Sequence, residues 1–126
     1  MAELNLHHIH HEALDVDVAA KFYVDNFAAA VTERFERDGV QWARVALAGT
    51  MLNITDRAER NIDLSLYRGF DHIGIHTDNF DETIDGLRAN GVNFFIEPVS
   101  PKPGVQVAFV SGPDNVKIEI LSIAAS

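Results

Sequence analysis

Two histidine-rich stretches about half a chain apart constrain this sequence more than anything else in it. The first is Leu6-His7-His8-Ile9-His10-His11-Glu12, which holds four of the six histidines. The second is Asp71-His72-Ile73-Gly74-Ile75-His76. Each reads as a strand, where successive side chains point to opposite faces. His8, His10 and Glu12 therefore share one face, and so do His72, Gly74 and His76. Seven residues after each His-Ile pair stands a polar residue suited to open a helix, Asp15 in one case and Asn79 in the other. A repeat of this size means two copies of one supersecondary unit. A pair of equivalent histidines is then the natural centre of a site.

The rest of the chain reads as the same element order, twice. In a first module of about residues 4–56, Asp15 caps a helix to about Phe27, with Val18 and Phe22 in its buried stripe. Val31 to Arg37 alternates as a strand, and Asp38-Gly39 is a two-residue hairpin signal that returns Val40 to Ala48 as its partner. Gly49 turns the chain into a strand at Met51 to Thr55. A polar linker of about residues 57–68 follows. In the second module, about residues 69–122, a helix from about Phe80 to Asn90 buries Ile84 and Leu87, and Gly91 ends it. Val92 to Val99 is a strand, and two prolines stiffen Ser100 to Gly104 as a loop. Val105 to Ser111 is the next strand, Gly112 to Asn115 a turn, and Val116 to Leu121 the last strand. The fold class expected is α+β, built from two βαβββ modules within one domain, residues 1–126.

Composition removes several functions. Hydrophobic content of 47% and charged content of 23% are ordinary for a globular chain of 126 residues. A net charge of −9 is the wrong sign for nucleic acid or an anionic membrane face. With no cysteine there is neither a disulfide nor a thiolate ligand. No apolar stretch is long enough to span a bilayer, and no signal sequence opens the chain, so the cytoplasm is the expected compartment.

Strand alternation then sorts the side chains. Ile9, Leu52, Ile54, Ile73, Ile75, Ile118 and Ile120 fall on faces that pack under the helices. His8, Asn53, His72 and Glu119 fall on the opposite faces, where a solvated sheet would carry lysine, threonine and serine. If the sheets of the two modules curve toward each other, these groups converge. Two imidazoles and one carboxylate on rigid strands form a facial triad for a divalent ion with open positions, and Fe, Mn, Ni, Co or Zn all suit oxygen and imidazole donors. Taken singly, either histidine would more often be structural, and Glu119 would more often be a solvated strand residue. Their equivalent places in a repeat carry the metal reading. Trp42 and Arg44 alternate with Ala43 and Val45 and are placed to line the same cleft, although plain packing explains Trp42 equally well.

These residues resemble the vicinal oxygen chelate superfamily, which includes glyoxalases, bleomycin resistance proteins and extradiol dioxygenases. Carrying the resemblance are the two His-Ile openings, Lys21-Phe22-Tyr23, Ala89-Asn90-Gly91-Val92, and Gly112-Pro113-Asp114-Asn115-Val116-Lys117-Ile118-Glu119. It implies a cupped, mostly antiparallel eight-stranded sheet around one metal ion per site, usually in a homodimer. It implies His8, His72 and Glu119 as ligands. Asn53 takes the place where glyoxalase I and methylmalonyl-CoA epimerase carry a fourth ligand, Glu or Gln. Glyoxalase-type chemistry moves a proton through an enediolate and needs a base. Asn53 cannot serve, which leaves Glu119, His10, Glu12 and His76, with His10 the most attractive. Glu12 stands where glutathione-dependent glyoxalases place an arginine for the substrate carboxylate, and it would repel that group. The function expected is a metal-dependent lyase or isomerase acting on a small substrate with vicinal oxygens. Glu119 and His10 would be catalytic, while Glu12, Trp42, Arg44, Asn53 and His76 would contact substrate. An Fe(II)-dependent ring-cleaving dioxygenase and a metal-free small-molecule-binding protein are the alternatives.

Overall fold

Each half of the chain buries its alternating apolar residues under one helix, and each forms its own sheet. The computed structural model describes residues 3, 6–57 and 72–124. The chain divides into two compact units, Met1–Ile62 and Asp63–Ser126. The expected linker lies outside the described residues except for Arg57. No described helix is long and apolar enough to cross a membrane.

The first unit runs β1 (His8–Glu12), α1 (Val16–Phe27), β2 (Ala30–Arg37), β3 (Val40–Leu47) and β4 (Thr50–Thr55). Its sheet has the order β1-β4-β3-β2. Two tight turns make β2, β3 and β4 a meander, with Asp38 and Gly39 at φ 53° and 80°, and Ala48 and Gly49 at φ 48° and 82°. Positive φ at both turn residues matches the turn twist to the strands, and glycine bears the second at little steric cost. A parallel neighbour needs a crossover, and here the chain passes through α1, β2 and β3 before β4 pairs with β1. Asp15 caps α1 by accepting from the Asp17 and Val18 amides at 3.0 and 3.1 Å. The helix packs on β3 and β4. It buries Val16, Ala19, Ala20 and Tyr23 rather than the expected stripe, and Val18 is 60% exposed. The true stripe steps 16, 19, 20, 23, and its two alanines are small enough to let the helix sit close to the sheet.

The second unit repeats the order with β5 (Ile73–His76), α2 (Phe80–Ala89), β6 (Asn93–Lys102), β7 (Val105–Ser111) and β8 (Lys117–Ile123), in a sheet ordered β5-β8-β7-β6. Asn79 caps α2 by accepting from the Glu82 backbone amide at 3.2 Å, while its side-chain NH2 donates to the Glu82 carboxylate at 3.0 Å. At the other end Gly91 sits at φ 71°. The Val92 and Gly91 amides bond back to Leu87 and Arg88, each at 3.0 Å, which closes a Schellman turn. Ile84 and Leu87 are buried as expected. The stretch Ser100 to Lys102 departs from expectation: it is strand, not loop, and β6 continues through Pro98 and Pro101. Because β6 is an edge strand, prolines that cannot donate to a ladder are tolerated there, and its register with β7 slips repeatedly.

Candidate functional site

Register places the two modules' polar faces in correspondence. In the first unit His10 lies opposite Asn53 on β4, and Asn53 lies opposite Arg44 on β3. In the second, Gly74 lies opposite Glu119 on β8, and Glu119 lies opposite Phe109 on β7. His8 precedes His10 by two residues, as His72 precedes Gly74. Asn53 and Glu119 therefore occupy the same place relative to the opening histidine of their module.

In the second unit the expected pair is assembled. His72 Nε2 stands 3.4 Å from Glu119 Oε1, and Phe109 meets the His72 ring edge-on at 5.1 Å. Gly74 lies beside this carboxylate: a methyl group there would meet Glu119 Oε1 at 3.8 Å, an ordinary contact. His76 is one pleat further along the same face, opposite Leu121, and is exposed.

The first unit holds a denser network. His10 Nε2 lies 2.7 Å from Thr55 Oγ1 and 2.8 Å from Glu12 Oε1. The Thr55 hydroxyl donates to the same Glu12 oxygen at 2.5 Å, and Arg57 Nε donates to it at 2.9 Å. With the hydroxyl proton spent on Glu12, both oxygens beside His10 Nε2 are acceptors, so Nε2 carries a hydrogen. Burial pushes the Glu12 carboxyl upward, but the Thr55 and Arg57 hydrogen bonds, with the charges of Arg57 and His10, outweigh it and hold Glu12 below the ordinary glutamate value. Glu12 is thus ionised and accepts only. Its second oxygen, Oε2, and Asn53 Oδ1 are both shielded from solvent and have no hydrogen-bond partner among the described residues.

Trp42 and Arg44 do share this face, in register with Thr55 and Asn53. Arg44 is engaged by Glu33 at 3.3 Å. Trp42 stacks on Phe35, with centroids 5.5 Å apart and planes within 11°. The sequence reading missed Phe35 and Thr55, although the signals were present. A two-residue turn at Asp38-Gly39 pairs Arg37 with Val40 and hence Phe35 with Trp42, and alternation from Asn53 brings Thr55 to the same face. His8 is exposed, with its Nδ1 2.9 Å from that of His7. Within neither unit do three or more described His, Asp or Glu side chains gather closely enough to hold a metal ion. The second unit supplies two of the expected ligands and the first unit one.

Unit by unit, the donors are of kinds that suit a divalent ion: the second unit pairs imidazole with carboxylate in His72 and Glu119, and the first holds the shielded, unpartnered oxygen Asn53 Oδ1.

Two βαβββ modules of this topology, each opened by a histidine strand, define the vicinal oxygen chelate class of fold. The sequence matches the Glyoxalase/Bleomycin resistance protein/Dioxygenase superfamily over residues 5–120, and the chain belongs to that superfamily. Among curated proteins, none matches the sequence. Solved structures share the fold at low identity. A glyoxylase/bleomycin resistance protein/dioxygenase domain from Frankia sp. EAN1pec has a TM-score of 0.78 at 18% identity, with 97% of this chain covering 99% of that one. A glyoxalase family protein from Enterococcus faecalis gives 0.76 at 20% identity, covering 93% and 96%. Glyoxalase I from Zea mays gives 0.77 at 20% identity over 96% of this chain. The match spans only 45% of the maize chain.

Proposed function

We propose that this chain is a metal-dependent enzyme of the glyoxalase type, a lyase or isomerase that binds a small substrate through vicinal oxygens and moves a proton between adjacent carbons. The observation that carries this reading is the His72–Glu119 pair, 3.4 Å apart, with Glu119 at the register place that Asn53 holds in the other module. His8, His72 and Glu119 would hold one divalent ion, with Asn53 as a fourth donor. That ion would be Fe, Mn, Ni, Co or Zn, and it supplies Lewis acidity toward the substrate's oxygens. The chain's own groups supply the rest. Asn53 is neutral and takes no proton, so the proton goes to His10 Nδ1 or to the Glu119 carboxylate. The Glu12 and Thr55 oxygens fix the orientation of the His10 ring. Trp42, Arg44 and Glu12 on the first sheet and His76 on the second would contact substrate. The chain acts as a homodimer in the cytoplasm.

Metal analysis of protein purified without chelator tests this reading. About one ion per chain is expected in the wild type. His72→Ala should lose metal and turnover together while keeping its circular dichroism. Metal retained at full stoichiometry in that variant would contradict the assignment. An oxygen electrode separates the dioxygenase alternative: turnover that consumes dioxygen, and stops without it, would replace proton transfer with ring cleavage.

A further inference from the structure

His7, the first histidine of the opening run, has no part in the chemistry above. Neighbours in a strand point to opposite faces, yet the rings of His7 and His8 meet. His7 can turn back because β1 begins only at His8. The ring planes stand at 86°, with centres 5.1 Å apart and Nδ1 atoms 2.9 Å apart. An imidazole nitrogen lies about 1.1 Å from its ring centre, so two such radii and the gap between the nitrogens account for the whole distance between centres. The two Nδ1 atoms therefore lie on the line joining the rings, and the in-plane bonding direction of each points at the other. Lone pairs aimed at one another do not converge on a shared ion, so the pair is not a two-histidine chelate. It is a hydrogen bond, and it holds one hydrogen.

That single hydrogen couples the tautomers of the two rings. In neutral imidazole one nitrogen donates and the other accepts. Whichever ring supplies the Nδ1 hydrogen presents a bare Nε2, and its partner carries Nε2–H. We propose that His8 is the donor and His7 the acceptor, which makes His7 a positioning residue that fixes His8 with its Nε2 lone pair available. A metal-bound histidine is oriented in this way by the acceptor that its other nitrogen meets. The inference rests on His8 being a ligand of the ion assigned above, and it adds which atom binds. His8 Nδ1 is occupied by His7, and Nε2 is the remaining nitrogen of an exposed ring. His7 itself carries Nε2–H and is not a ligand.

The test uses the full chain labelled with nitrogen-15, in mildly alkaline buffer and first without metal. Long-range nitrogen–proton correlation spectra distinguish a bare ring nitrogen from a protonated one. His8 should show Nδ1–H with a bare Nε2, and His7 the reverse. His7→Phe keeps a flat ring but removes the acceptor, so His8 should then exchange between tautomers. His7→Gln supplies an amide oxygen and should restore the wild-type His8 pattern. Cobalt(II) titration, followed by visible absorbance, is the second readout. His7→Phe should weaken cobalt binding about tenfold, and His7→Gln should recover most of that loss. A bare Nδ1 on metal-free His8, or a His8 pattern and cobalt affinity that His7→Phe leaves unchanged, would overturn the proposal. A wild type that takes up no cobalt but shows the expected tautomers would refute the ligand assignment alone.

Discussion

Replacing Thr55 by valine removes one hydroxyl while conserving side-chain volume, so it isolates the polar network at no cost in packing. Thr55 is fully buried. Its hydroxyl donates to Glu12 Oε1 at 2.5 Å and accepts from His10 at 2.7 Å. A hydrogen bond to an ionised group contributes roughly 1.5–3 kcal/mol and a neutral one about 1. The variant should therefore lose about 2–3 kcal/mol near pH 7. The sign of the pH dependence follows from Glu12. Burial raises its pKa, but the Thr55 and Arg57 hydrogen bonds and the Arg57 and His10 charges prevail, so the folded value is lowered. A lowered carboxylate contributes stability that is present above its unfolded pKa and lost as pH falls through the folded value. Thr55→Val removes part of that contribution. The gap between wild type and variant in urea unfolding should shrink to about 1 kcal/mol once Glu12 is protonated, at a pH below the ordinary glutamate value. A gap of equal size at both pH values, or none at neutral pH, would refute the charge-assisted role of the hydroxyl.

Other outcomes follow from single contacts. Asp15→Ala removes the acceptor for two amides of α1 and should cost about 1 kcal/mol in urea unfolding, whereas Asp15→Asn should cost far less. Gly74→Ala adds a methyl 3.7 Å from Leu121 and 3.8 Å from Glu119, ordinary contact distances, and should leave stability within about 1 kcal/mol. Gly74→Leu would fill the space beside Glu119 and should sharply reduce metal uptake without unfolding the protein. Ile54→Ala, in a fully buried position, should cost about 2–5 kcal/mol by the same unfolding assay.

The legible parts of this chain were those where local chemistry and period agree. Asp15 and Asn79 as caps, Asp38-Gly39 as a turn and Gly91 as a helix end each act through backbone geometry, and each stands where the sequence places it. Alternation likewise brought Trp42, Arg44 and Asn53 to one face. What failed depended on neighbours. Val18 fits a helical apolar stripe as well as Ala19 does, and only the sheet beneath α1 decides which one is buried. Pro98 and Pro101 stop a central strand but not an edge strand, and strand order is a tertiary fact. Thr55 and Arg57 were unremarked as partners of Glu12 because their meeting depends on β1 pairing in parallel with β4 across more than forty residues, and no local signal encodes it.

Both units open on a histidine and set an oxygen donor at one shared register, and the proposed function assigns a divalent ion to those donors. An anomalous difference map from crystals grown with manganese or zinc examines this most directly. A single peak should lie about 2.0–2.3 Å from a ring nitrogen of His8, a ring nitrogen of His72 and a carboxylate oxygen of Glu119. A peak on His72 and Glu119 without His8 from either subunit, or no peak near them at all, would contradict the account.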